Sequence, residues 1–97
     1  MPKFIFTYRA PAGYTPGTDA DAMAAWQAWF GQLGDHVAEI GNPVSERTTV
    51  GVAPSEHQLG GFSIITAADL EAAAVLAKGC PFLKQGGGVE VGQLQEM

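Results

Sequence analysis

A chain of 97 residues, 46% hydrophobic with a formal net charge of −5, suits one small domain with a single core and excludes a disordered composition. Five Lys and Arg scattered along the chain form no basic stripe, so no nucleic-acid partner is expected. The one cysteine, Cys80, excludes an internal disulfide and suits a reducing cytoplasm, and two histidines beside it at no ligand-like spacing leave no metal site expected.

The opening KFIFTYR is a predicted strand, rich in aromatic and β-branched residues. Alternation puts Phe4, Phe6 and Tyr8 on one face and Ile5, Thr7 and Arg9 on the other. Lys3 and Arg9 in this segment argue against a signal peptide, and no apolar stretch is long enough to span a bilayer, so no membrane partner is expected. APAGYTPG then reads as a loop. The segment from Thr18 to Ile40 is a predicted amphipathic helix, capped by Thr18 or Asp19, with Asp19 and Asp21 at its positive end. Met23, Trp26, Phe30, Leu33, Val37 and Ile40 form its apolar stripe, and Gly41 and Pro43 end it. Gly31 and Gly34 each weaken that helix by roughly 1 kcal/mol, or else admit a close neighbour.

ERTTVGV and GFSIIT are β-prone and read as a hairpin joined by the polar APSEHQLG. A second helix is predicted over 67–78, with Thr66 and Asp69 at capping-box-like spacing, Gly79 and Pro81 as stops, and Leu70, Ala73, Ala74 and Ala77 on one face. VEVGQLQ supplies the last strand. The order strand, helix, strand, strand, helix, strand is that of an α+β, ferredoxin-like domain: a four-stranded antiparallel sheet with both helices on one face. Phe4, Phe6, Tyr8, Phe62, Ile64, Val89 and Val91 are assigned to the helix-covered face. Ile5, Thr7, Arg9, Ser63, Ile65 and Glu90 are assigned to the open face, which is too apolar for bulk water and fits a partner surface around a wet cavity.

EHQLGGFSII, then ADLEAAAVLAKGCP, then GGGVEV resemble the YCII-related, or DGPF-domain, family. FTYRAPAGYTP and the Trp-bearing first helix are also similar, so the resemblance spans nearly the whole of 1–97, read as one domain. It implies ferredoxin-like protomers pairing as a dimeric α/β barrel that takes up small metabolites. Two departures stand out. VGVAPSEHQ occupies the place of the Asp-Gly-Pro-Phe motif. The family's proposed His-Asp dyad falls near Ala25 or Trp26 and on Cys80, so neither half is present.

The binding-pocket candidates are Tyr8 and Arg9 at the end of strand 1, Trp26 and Trp29 on helix 1, Cys80 before the last strand and Glu90 within it. An arginine, a phenol, a thiol and indoles beside a Gly-Pro loop suit a small-molecule pocket. Against that, Trp26 lies on the core stripe, Arg9 and Glu90 can pair across strands, and Cys80 reads as a small buried hydrophobe. His57 is the weaker candidate, a solvated histidine of the hairpin, and His36 sits near the helix C-terminus, where its charge suits the dipole. Both histidines are expected at the sheet end away from Arg9. GGG at 86–88 lacks the Lys-Ser/Thr and helix of a phosphate loop, so no cofactor is expected. Three readings stay open: a small-molecule-binding homodimer with catalysis, the same pocket in a non-catalytic regulatory module, and a purely structural homodimer.

Overall fold

The computed structural model describes residues 1–11, 20–52 and 57–96. Its elements are β1 (Lys3–Pro11), α1 (Ala20–Leu33), β2 (Val37–Glu39), β3 (His57–Thr66), α2 (Leu70–Ala77) and β4 (Gly88–Gln93), with 3-10 turns at Gly34–His36 and Pro81–Gln85. The strands pair antiparallel in the order β2-β3-β1-β4, which is the ferredoxin-like arrangement. The expected capping residues Thr18 and Asp19 lie outside the described residues.

The core forms between one sheet face and the two helices. Phe4 and Phe6 of β1 are fully buried, Trp29 and Leu33 descend from α1, and Ala73 and Ala77 bring α2 close. Small side chains on α2 let its backbone approach, and the Trp29 indole donates to the Leu76 carbonyl at 3.3 Å. Asp69 caps α2 by accepting from the Ala72 N–H at 2.8 Å, so the aspartate is the cap itself and not the far member of a capping box.

Four expectations are corrected. First, α1 stops at Leu33, because Gly34 takes φ +55 and turns the chain through a 3-10 segment. Val37 therefore belongs to β2 and Ile40 lies just past it, neither on a helical stripe. Met23 is also turned away from the core, 54% exposed, while Trp29 takes the buried position. Second, β2 is the three-residue Val37–Glu39, and 46–52 carry no strand despite their β-prone composition. Those residues are exposed, so they have no surface on which to spend that propensity.

Third, the phase of β3 is opposite to the assignment. Phe4 pairs with Ile65, Phe6 with Ser63 and Tyr8 with Gly61, so Ser63 and Ile65 are the buried face while Phe62 and Ile64 lie on the open one. A serine is tolerated in that core because its hydroxyl is fully engaged, as described below. Fourth, Gly31 and Gly34 admit no close neighbour, since a Cβ at either would meet nothing within 4 Å. Among the glycines with close neighbours, Gly41 is the tightest: it has φ +77, and a Cβ there would be driven into the Phe62 carbonyl oxygen. Residues 41–44 lean on β3 there, through Phe62 N–H to Asn42 O at 3.3 Å and Val44 N–H to Gly60 O at 3.0 Å.

The pairing of β1 and β3 is interrupted once. Tyr8 faces Gly61 but Arg9 faces Leu59, leaving Gly60 as the extra residue of a β-bulge.

Candidate functional site

A cavity of about 380 Å³ opens beside this bulge, on the helix side of the sheet. Its walls come from α1 (Ala22, Met23, Trp26, Phe30), the segment from Ile40 to Val44, Arg47, and Phe82 of the 3-10 turn before β4. Tyr8 and Ser63 of the two central strands also line it. The volume is that of a small organic ligand site, and the lining is mostly apolar, as such sites are.

The aromatic wall is built around Trp26. Its ring meets Tyr8 edge-on at 4.9 Å between centroids, and Phe30 and Phe82 each lie at 5.9 Å. These positions follow from local sequence. Trp26 and Phe30 are one helical turn apart on α1, and Pro81 starts the 3-10 turn that swings Phe82 inward.

Behind this wall runs a chain of hydroxyls with a fixed direction. The Ser63 Oγ lies 2.6 Å from the Ile40 carbonyl oxygen, and a carbonyl only accepts, so Ser63 must donate to it. Ser63 then has lone pairs left for the Tyr8 hydroxyl, which donates to it at 2.8 Å. Burial holds the Tyr8 phenol above its ordinary pKa range, so it stays neutral. What Tyr8 retains for a further partner is therefore acceptor capacity. The chain ends on a backbone oxygen, so it can recognise a donor but cannot relay a proton onward.

Arg47 stands at the rim. Its Nε donates to Leu59 O at 2.9 Å, Nη1 to Gln58 Oε1 at 3.0 Å and Nη2 to Val44 O at 3.2 Å.

The sequence candidates separate in space. Tyr8 and Trp26 line the cavity. Trp29 and Cys80 belong to the packed core, Trp29 3% and Cys80 2% exposed. Burial pushes the Cys80 thiol up to about 11, so it is a protonated core group at neutral pH. Arg9 and Glu90 project from the opposite face of the sheet, where they form a loose ion pair at 3.5 Å. His57 opens β3 opposite Pro11, exposed and in the strand instead of a hairpin loop, at the same sheet end as Arg9. His36 is at the other end, where its Nδ1 donates to Thr66 O at 2.8 Å and the Thr66 hydroxyl donates back to His36 O at 3.2 Å.

Sequence reasoning passed over Ser63, Met23, Phe30 and Arg47 as cavity residues. Ser63 had a signal, a hydroxyl set between the apolar Phe62 and Ile64 on a strand flanking a tyrosine. Arg47 had none, because only the fold of 40–47 over β3 brings it to the rim. Among the described residues no group of three His, Cys, Asp or Glu side chains is arranged to hold a metal ion, and no helix is long and apolar enough to cross a membrane.

Similarity to known proteins agrees with this architecture. No curated protein matches the chain. A solved structure does: the 5-chloro-2-hydroxyhydroquinone dehydrochlorinase TftG from Burkholderia phenoliruptrix AC1100, in complex with 2,5-dihydroxybenzoquinone. It superposes with a TM-score of 0.60 at 22% identity, covering 97% of this chain and 95% of that one. Finally, the model of the YCII-related domain matches residues 1–97, and this protein belongs to that family.

Proposed function

We propose that the protein is a small-molecule-binding homodimer whose ligand is a compact, hydroxyl-bearing ring held in the cavity between Tyr8, Trp26 and Phe30. The observation that carries this reading is the one-way chain from Tyr8 through Ser63 to Ile40, set behind an aromatic wall. Flat rings stack or meet edge-on with such a wall, and a ring hydroxyl satisfies the acceptor that Tyr8 keeps. The complex of TftG with 2,5-dihydroxybenzoquinone supports a ligand of this kind by analogy of fold.

Binding without turnover is the reading the residues favour. Among the described lining residues only Tyr8 and Arg47 ionise, and at neutral pH neither is a base. The positions that the family dyad would occupy hold Ala25 or Trp26 and a buried thiol.

The dimer rests on the open sheet face. Ile5, Thr7, Phe62 and Ile64 are only half-buried within the protomer and lie together across β1 and β3. Covering them with a second copy recovers roughly 25 cal/mol for each Å² of apolar surface. The cavity lies on the other side of the sheet, so each protomer carries its own site.

Thermal-shift titration with 2,5-dihydroxybenzoquinone and with hydroquinone tests the site. The expected result is a stabilised wild type, with the shift lost in Ala22→Phe, which fills the cavity, and reduced in Tyr8→Phe. Arg9→Ala should keep the full shift. The opposite pattern, with Arg9→Ala abolishing binding and Tyr8→Phe leaving it intact, would move the site to the open face.

A further inference from the structure

We infer that the cavity selects ring acids: aromatic or quinoid molecules carrying one anionic oxygen substituent, a carboxylate or an ionised enol, which docks on Arg47. This deepens the ring-binding reading above and rests on it.

The argument begins with the charge on Arg47. A guanidinium has five N–H donors and stays protonated throughout the ordinary pH range. Three of those donors are fixed on Leu59 O, Gln58 Oε1 and Val44 O, all of them neutral acceptors. The group is thus oriented but not neutralised. Among the described residues it meets no carboxylate within ion-pair distance, in a chain with ten Asp and Glu against five Lys and Arg. The ion pair between Arg9 and Glu90 is on the far face of the sheet.

The surroundings strengthen that charge for an anion inside. Arg47 itself is exposed at the rim, while the cavity walls are chiefly apolar, with Trp26, Phe30, Met23 and Phe82 among them, so the attraction grows as a bound ring displaces water from the guanidinium. The three fixed hydrogen bonds hold the planar group in place, so little side-chain entropy is left to lose when it takes up a ligand oxygen. Two N–H donors remain for that oxygen.

The second polar element sets the orientation. Because Tyr8 donates to Ser63 and Ser63 to a backbone carbonyl, the Tyr8 oxygen offers lone pairs and repels an anionic oxygen. It takes a hydroxyl instead. The two ends of the polar lining therefore ask for different groups, a donor at Tyr8 and an anion at Arg47. A hydroxylated ring acid supplies both.

Calorimetric titration with matched probes separates the possibilities. 4-Hydroxybenzoate and 4-hydroxybenzamide share ring and hydroxyl and differ in charge. 2,5-Dihydroxybenzoquinone, whose enols are ionised at neutral pH, is compared with hydroquinone, a neutral ring that keeps its hydroxyls. At least one anionic member should bind wild-type protein about tenfold tighter than its neutral partner, the scale of a charge-assisted hydrogen bond over a neutral one. Which pair shows the preference distinguishes carboxylate from enolate. The preference should shrink as salt is raised, collapse to near unity in Arg47→Gln, and persist in part in Arg47→Lys.

Equal affinity of both members for the wild type would overturn the inference. So would an Arg47→Gln variant that weakens charged and neutral probes alike, because Arg47 would then be only a clip between 44–47 and β3. If no member of either pair binds, the ring-binding reading itself fails and this inference falls with it.

Discussion

The two faces of the central sheet are made from the same alternating strands, yet they are finished to different degrees. On the helix side, Phe4, Phe6, Ser63 and Ile65 are completely buried, and even the serine has both hydrogen-bonding roles filled. On the other side, Ile5, Thr7, Phe62 and Ile64 stand half-covered, flanked by the open ion pair of Arg9 and Glu90. The first face is a closed core that opens where the strands bulge, and there it forms a cavity. The second is a half-covered apolar surface, which the proposed function gives to a partner copy. On the proposed function, ligand recognition and assembly fall on opposite sides of one sheet, so either should be alterable without the other.

Neighbouring isoleucines give the strongest test of this division. Ile65→Asp places a carboxylate where exposure is zero and no cation waits, and the expected cost of about 4 kcal/mol or more is a large share of a small domain's stability. Circular dichroism should report an unfolded or molten chain. Ile64→Asp, one residue away on the open face, should keep the fold but yield single chains by light scattering. Should both variants unfold alike, or the wild type itself weigh one chain at micromolar concentration, the open face would not be an interface.

A smaller effect is expected at the seam between the two faces. Gly41→Ala combines a left-handed backbone with a Cβ driven into the Phe62 carbonyl, and about 3 kcal/mol should be lost in urea unfolding. The 41–44 segment is a cavity wall, so ligand binding should weaken with it while the oligomeric state holds.

How much of this was legible in the sequence depends on the kind of signal each residue carries. The alternating element order, α2 with its stops at Gly79 and Pro81, and the buried face of β1 all rest on local patterns, and the structure has them. The end of α1 was missed because Val37 and Ile40 continue the apolar rhythm of the helix into a strand. Only the backbone angle at Gly34 breaks it. The phase of β3 was missed because Phe62 and Ile64 look more like core than Ser63, and burial of Ser63 depends on Tyr8 and Ile40, which are distant in sequence. The same holds for the cavity. Tyr8 and Trp26 advertise themselves by type, whereas Arg47 becomes a rim residue only through its reach to Leu59 across a turn of the fold.

The subtlest test uses pH to probe how well the helix side is closed. The buried Cys80 thiol ionises near 11 in the folded protein and near 9 when exposed, so the unfolded chain gives up its proton first. Its contribution is fully present below pH 9 and is lost as pH rises toward 11, and Tyr8, held neutral by burial, acts in the same direction at still higher pH. Thermal melts across this window should show stability falling more steeply in the wild type than in Cys80→Ala. Identical slopes would mean that water reaches the thiol in the native protein.

The extra residue at Gly60 also has a consequence for what the cavity is made of. A strand without interruption presents every second side chain to the same side, so counting back from Ser63 and Gly61 would deliver Leu59 to the cavity and send Gln58 outward. The bulge reverses that parity: Leu59 pairs with Arg9 on the open side and Gln58 with Ala10 on the helix side. A carboxamide thus stands where a leucine would have been, and its oxygen is the one that Arg47 Nη1 holds. One inserted glycine has changed the chemistry of the wall by changing which side chain of the strand faces it.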